Sequence, residues 1–345
     1  MVPSVKRRRL LQAALAAGMA PAVVRAQDKI ELKVSHYVPA VHGLQTDFIE
    51  PWTKEIERCS GGKVTFRISA AGSPLGRAEN QLDQVQNGVT DIAFGLSGNP
   101  RGRLPRSLIV EMPFLIETSE QGSRTLMELY PKYLKEEYKG LKVLVLMTHN
   151  AGLIHTRDKK VEKVEDMQGL RLRTPSPTVS AMFTQMGAVP VGMPPGNAYE
   201  AMQKGTIDGA AFPWDPVRAF KIDEVTKYHT DARFYVAAFW FAMNEKKYNS
   251  LPPDVRKCID QFSGEWLLSR VQGWWDKWDK AGREAALARN NVIVVLTPEE
   301  RKRWVESLGS VYNKQMIELE NAGVKNAREI YLDMQRTAAK YRGKS

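Results

Sequence analysis

The sequence predicts an α/β protein of two similar lobes, and three observations carry that prediction. The chain opens with short alternating apolar segments separated by helical periodicity, the βαβαβ order of a parallel sheet with helices on its faces. A second βαβ block, after residue 140, resembles the first in its order of elements. No low-complexity tract or flexible linker separates the blocks, so strands are predicted to join the lobes, as in a hinge.

In chain order, Glu31 to Ser35 alternates and reads as the first strand. Residues 43–59 read as a helix, with Leu44, Phe48, Trp52 and Ile56 on one face and Pro51 as a kink. Lys63 to Ser69 alternates again, Arg77 to Asn87 reads as a short helix stopped by Gly88, and Asp91 to Gly95 reads as a third strand. Lys142 to Met147 is a continuous apolar run, the pattern of a strand buried on both faces. Leu170 to Arg173 is a strand stopped by Pro175. Residues 178–186 and Asn197 to Lys204 read as helices, the latter with a capping box of Asn197 and Glu200. Ala210 to Phe212 returns as a strand. From Pro252 to about Asn290 the pattern is one long helix with weak points at Gly264 and Gly273, and Thr297 to Glu300 opens a second with another capping box.

The ends and the composition bound what the chain does. Lys6 to Arg9 is a basic n-region, Leu10 to Val24 is apolar, and Val24-Arg25-Ala26 offers small residues for cleavage before Gln27. Residues 1–26 therefore read as an export signal, close to the twin-arginine pattern at Arg7 to Gln12, and the remainder is expected in the periplasm. No cysteine follows the cleavage site, which argues against a lipid anchor. The five basic residues before Gln27 carry part of the formal charge of +11, so +6 remains. That favours an anionic ligand, and no basic stripe interleaved with aromatics suggests nucleic acid. Cys59 and Cys258 are far apart and fall in separate helices, so the reading favours two small buried residues over a disulfide. No Gly-x-Ser-x-Gly, Cys-x-x-Cys or His-Glu-x-x-His occurs, and the five histidines lack metal-ligand spacing. An exported hydrolase is disfavoured, and a soluble ligand sensor stays as the alternative to a transport binder.

Gly169-Leu-Arg-Leu-Arg-Thr-Pro175 followed by Ala201-Met-Gln-Lys-Gly-Thr-Ile-Asp-Gly209 resembles the TRAP-transporter solute-binding proteins of the DctP family. Gln84 to Ile92, Glu111-Met-Pro-Phe-Leu115 and Ala242 to Pro252 resemble further segments of that family, in order, across the chain after the signal. The resemblance implies a two-lobed periplasmic binding protein (type II-like) with an interlobe ligand cleft and a long helix spanning both lobes. Lobe 1 would comprise 27–148 plus about 239–275, and lobe 2 would comprise 149–238 plus about 276–345. It implies an organic acid as ligand, a membrane permease as partner and hinge closure, while the residues themselves show no catalytic set, no cofactor motif and no acidic cluster matching the calcium site of some relatives.

Arg173 matches the family arginine that forks onto a ligand carboxylate, and Pro175 places it at a strand end facing a crevice. Arg171 ranks below it because only Arg173 sits in the motif position. Phe212, in Phe212-Pro213-Trp214, stands where some relatives carry a ligand-binding asparagine. With Trp214 it points to a monocarboxylate with an apolar or aromatic body. His36, Tyr37, His149 and Asn150 follow predicted strands, where ligands of open sheets bind, with His42 and His155 ranked below them. Of Phe239-Trp240-Phe241, Trp240 is assigned to the cleft and the other two to the core.

Overall fold

The computed structural model describes residues 29–343, and the predicted export signal at 1–26 lies outside the described residues. β1 (Ile30–Ser35), α1 (Glu50–Cys59), β2 (Val64–Ser69), α2 (Gln81–Gln86) and β3 (Ile92–Leu96) form the expected βαβαβ opening. Both neighbours of β1 run parallel to it. Leu44–Ile49 is a π-helical turn leading directly into α1, and Pro51 falls in the first turn of α1. The expected kink is thus replaced by a wide turn at a place where the missing proline N–H matters little. α3 (Ser119–Leu129) then covers β4 (Leu141–Thr148).

The chain next passes to a second sheet. β5 (Leu153–Thr156), β6 (Arg171–Thr174), α4 (Pro177–Gln185), β7 (Val189–Gly192), α5 (Ala198–Gln203), β8 (Gly209–Phe212), α6 (Asp215–Ala219) and β9 (Tyr228–Asp231) follow in order. Asn197 caps nothing with its side chain, because a 3₁₀ turn at Pro195–Asn197 already precedes α5, so the predicted capping box does not form. Residues 232–237 lead back to β10 (Ala238–Asn244), which inserts antiparallel between β3 and β4. The first sheet is therefore mixed, in the order β2-β1-β3-β10-β4. α7 (Glu245–Ser250), α8 (Pro253–Gln261) and α9 (Glu265–Ala288) follow. β11 (Val292–Val295) closes the second sheet in the order β11-β9-β5-β8-β6-β7, before α10 (Pro298–Asn321) and α11 (Ala327–Tyr341).

Two expectations about the last third need correction. The single helix predicted for 252–290 is α8 and α9, broken at Gly264, whose φ of 56° and ψ of −117° lie outside helical geometry. The Gly264 N–H donates instead to Leu144 O at 2.8 Å. The C-terminal residues, assigned above to lobe 2, do not all pack there. α10 buries Trp304, Leu308 and Val311 in the second lobe, but Met316 and, from α11, Ile330, Met334 and Ala338 join Leu126 and Leu146 in the first. The amphipathic face of α11 is covered by α3, a pairing that local periodicity does not specify. Of the capping box at Thr297, half forms. Glu300 N donates to Thr297 Oγ1, while the Glu300 carboxylate accepts from Val164 N.

Cys59 and Cys258 form a disulfide, against the expectation of two separate buried thiols. α1 and α8 lie side by side on the first sheet, which brings the two Cα atoms to 5.8 Å, within bonding geometry.

α9 is the element shared by both lobes, packing on α3 and β4 of the first and on α6 of the second. A Cβ at Gly282 would lie 1.9 Å from Trp214 O, a backbone atom that cannot step aside cheaply. Alanine in place of a helical glycine ordinarily stabilises by about 1 kcal/mol. Gly282→Ala is expected to reverse that sign and cost about 1–3 kcal/mol by overpacking, read by urea denaturation. A stabilised variant would mean that α6 and α9 do not approach this closely.

Candidate functional site

Between the sheets lies a cavity lined by residues of both lobes. Tyr37 and His42 come from the chain after β1, Phe94 from β3, and Phe239 from β10. Arg173 and Phe212 come from the ends of β6 and β8 in the opposite lobe, and Trp275 and Trp278 come from α9.

Among the described residues Arg173 is the only lysine or arginine lining it, and it is 2% exposed. β6 lies between β7 and β8, with Arg173 opposite Val191 and Ala210, so strand pairing fixes its backbone on both sides. Leu172 points into the apolar core under α4, and alternation turns Arg173 to the other face. Its Nε donates to Met193 O at 3.1 Å and Nη1 to Ala211 O at 3.0 Å. The guanidinium carbon lies 4.3 Å from the centre of the Phe212 ring. Among the described residues no carboxylate forms an ion pair with Arg173, and Nη2 makes no hydrogen bond. Burial lowers its pKa to about 10, offset only in part by Tyr235 and Tyr37. A buried cation held flat by two carbonyls, with donors to spare, is short of one anion.

The wall opposite is aromatic. Tyr37, Phe94, Phe239 and Trp275 form a run of stacked rings with centroids 6.0, 5.5 and 5.6 Å apart. Trp278 meets Trp275 edge-on at 5.2 Å. Tyr235, from the segment between β9 and β10, also lines the space, and among the described residues neither its buried hydroxyl nor Trp275 Nε1 has a hydrogen-bond partner. Desolvation holds the Tyr37 and Tyr235 phenols well above their ordinary pKa, so both stay protonated.

The structure brings together Arg173, Phe212, Tyr37 and His149 from the predicted set, and with them His42, which had ranked lower. His149 contributes a ring face only. Ala237 N donates to Nε2 at 2.9 Å and Nδ1 faces Asn150 O, so the proton sits on Nδ1 and both nitrogens are used. Burial lowers its pKa to about 4, which keeps it neutral.

Four predicted residues lie elsewhere. His36 turns into the first lobe, where Nε2 donates to Gln45 Oε1 at 3.0 Å. Asn150 lies outside the cavity, donating to Asp276 and Asp279 of α9 and accepting from Ser119 N. Trp214 turns away from Phe212, because Pro213 ends the strand alternation, and packs against His155, His229 and α9. Trp240 is fully buried in the layer under α3 and α11, while Phe239, one residue earlier and on the opposite face of β10, reaches the cavity. Arg171, ranked below Arg173, is exposed and paired with Asp208.

The residues missed by sequence reasoning are Phe94, Tyr235, Phe239, Trp275 and Trp278. For the last two, the crowding of Trp266, Trp274, Trp275 and Trp278 within the predicted long helix is a signal the sequence does carry. Tyr235 lies in a stretch with no periodicity to read.

An interlobe cavity with one buried cation and aromatic walls defines a ligand-binding protein that captures a small anion. The chain belongs to DctP, the bacterial extracellular solute-binding proteins of family 7, which match residues 34–319. A TRAP solute-binding protein from Rhodoferax ferrireducens, solved with copurified benzoate, is 32% identical. That likeness covers 91% of this chain and 98% of that one, with a TM-score of 0.87. A marine metagenome TRAP solute-binding protein specific for aromatic acid ligands, in complex with metahydroxyphenylacetate, is 28% identical. It covers 91% and 100% of the two chains, with a TM-score of 0.88. A solute-binding protein of Albidiferax ferrireducens is 29% identical over 74% of this chain and 78% of its own length. The protein is therefore a substrate-binding protein for TRAP-type transport of organic acids and not an enzyme, and the family is extracytoplasmic. Among the described residues no helix is long and apolar enough to cross a membrane.

Proposed function

We propose that this protein captures an aromatic monocarboxylate in the periplasm and delivers it to the membrane subunits of a TRAP-type permease. The observation that carries the reading is Arg173, a buried guanidinium without an anionic partner, inside a cavity walled by aromatic rings. One fork takes one carboxylate, and the rings desolvate and stack on the rest of the ligand. Phe212 belongs to both halves of this site, holding the guanidinium on one face. The copurified benzoate and the metahydroxyphenylacetate of the two solved relatives support the same ligand class. Arg173, Phe212, Tyr37, Phe239 and Trp275 are the residues we assign to binding. We assign the first sheet with α1 to α3, α7, α8 and α11 to one lobe and the second sheet with α4 to α6 to the other. Residues 149–152 and 232–237, where the chain passes between the sheets, would absorb the closing motion.

A thermal-shift screen tests the ligand class, since a ligand that binds only the folded state raises Tm by mass action, by about 2.7 kcal/mol of stability at 100 times Kd. Benzoate, 3-hydroxybenzoate and mandelate are expected to give larger shifts than succinate or sialate. If succinate or a sugar acid gives the largest shift, the aromatic wall is core packing and the reading fails.

A further inference from the structure

We propose that Asp215, held across the cleft by His42, restricts the ligand to a single anionic group. This deepens the reading above and rests on it. Asp215 and His42 line both the cavity and a neighbouring groove, so the pair forms part of the wall between the two. His42 Nε2 lies 3.0 and 3.1 Å from the two Asp215 oxygens, and both residues are buried. Leu44 N donates to His42 Nδ1 at 2.9 Å, which puts the ring proton on Nε2, facing the carboxylate. Trp278 packs edge-on against the imidazole at 5.6 Å, and its Nε1 donates to Asp47. Asp215 N donates to Asp279 of α9 at 2.7 Å, which fixes the start of α6. The Asp215 carboxylate is thus held by His42 and by the anchored start of α6, and among the described residues no lysine or arginine pairs with it.

Among the described residues Arg173 and Asp215 are the two aspartate, glutamate, lysine or arginine side chains lining the cavity, one of each sign, and they do not pair with each other. Arg173 lines it from the end of β6 and Asp215 from the start of α6, so a short acid with its carboxylate on Arg173 has Asp215 in the wall around the rest of it. An uncharged ring or a hydroxyl is tolerated there. A second carboxylate would face a fixed like charge in a water-poor space, a juxtaposition that costs enough to discriminate by two orders of magnitude or more.

Calorimetry with benzoate, 4-nitrobenzoate and terephthalate separates charge from size, because the nitro group has nearly the shape of a carboxylate and no net charge. The wild-type protein is expected to bind terephthalate at least about 100-fold more weakly than 4-nitrobenzoate. Asp215→Asn should shrink that ratio at least about tenfold. Asp215→Ser serves as a second variant, and melting curves without ligand establish that each is folded. The ratio is taken within each protein, so a general weakening cancels. An unchanged ratio in both folded variants, or a wild-type protein that binds terephthalate and 4-nitrobenzoate alike, overturns the inference while leaving the aromatic-acid reading intact. A wild-type protein that binds no aryl monocarboxylate overturns both.

Discussion

Arg173→Ala and Arg173→Lys are each expected to weaken binding of an aryl carboxylate by at least about 100-fold, measured by calorimetry. Hydrogen bonds to charged groups contribute about 1.5–3 kcal/mol each, and a fork makes two of them. Lysine keeps the charge and still fails, for geometric reasons. The two carbonyls of Met193 and Ala211 and the ring of Phe212 are arranged for a planar group held flat. An ammonium placed there satisfies the carbonyls at the expense of the ligand, since it has no second parallel donor pair. Loss of binding is separable from loss of fold. Removing a buried cation that lacks an anion relieves a desolvation cost, while the two carbonyls left behind lose their donor. The unliganded variants are therefore expected to melt within a few degrees of the wild type and to show no ligand-induced shift. A folded Arg173→Lys with wild-type affinity would move the carboxylate elsewhere in the cavity.

The place of Arg173 was legible from a short segment, because the motif resemblance singles it out and the proline two residues later ends its strand. The βαβαβ opening was legible for the same reason, since alternation and helical periodicity are properties of short windows. What failed depends on facts no window contains. Along β10, all seven residues are buried, so composition says nothing about which alternate set faces the cavity, and Phe239 lines it where Trp240 was chosen. His36 and Asn150 do follow strands, as read, but each is consumed by partners of its own: Gln45 for the first, and Asp276 and Asp279 for the second. A strand end is a place where a ligand can bind. Whether a given side chain is free to do so depends on neighbours up to 129 residues away. The C-terminal helix was misplaced because its apolar face fits either lobe, and only the position of α3 decides.

The cysteines show the same limit with a larger energy attached, and Cys59→Ala with Cys258→Ala is expected to be the most destabilising change outside the site. The bridge spans 199 residues of sequence. In the chain-entropy account a loop of that length is worth about 5 kcal/mol, a large share of the stability of an ordinary domain. The bond joins α1 to α8, two helices that pack together, and the turn after α1 adds an ion pair from Lys63 to Asp254 of α8. That ion pair is exposed and does not replace the covalent link. The double variant should melt about 10 °C or more below the wild type, and dithiothreitol should lower the wild type towards the same value. Neither cysteine lines the cavity, so ligand affinity measured well below the melt should stay within a few-fold of wild type. This separates a stability effect from a binding effect. Two titratable thiols in the protein isolated from an oxidising compartment, or a double variant that melts with the wild type, would mean that α1 and α8 are held by packing alone.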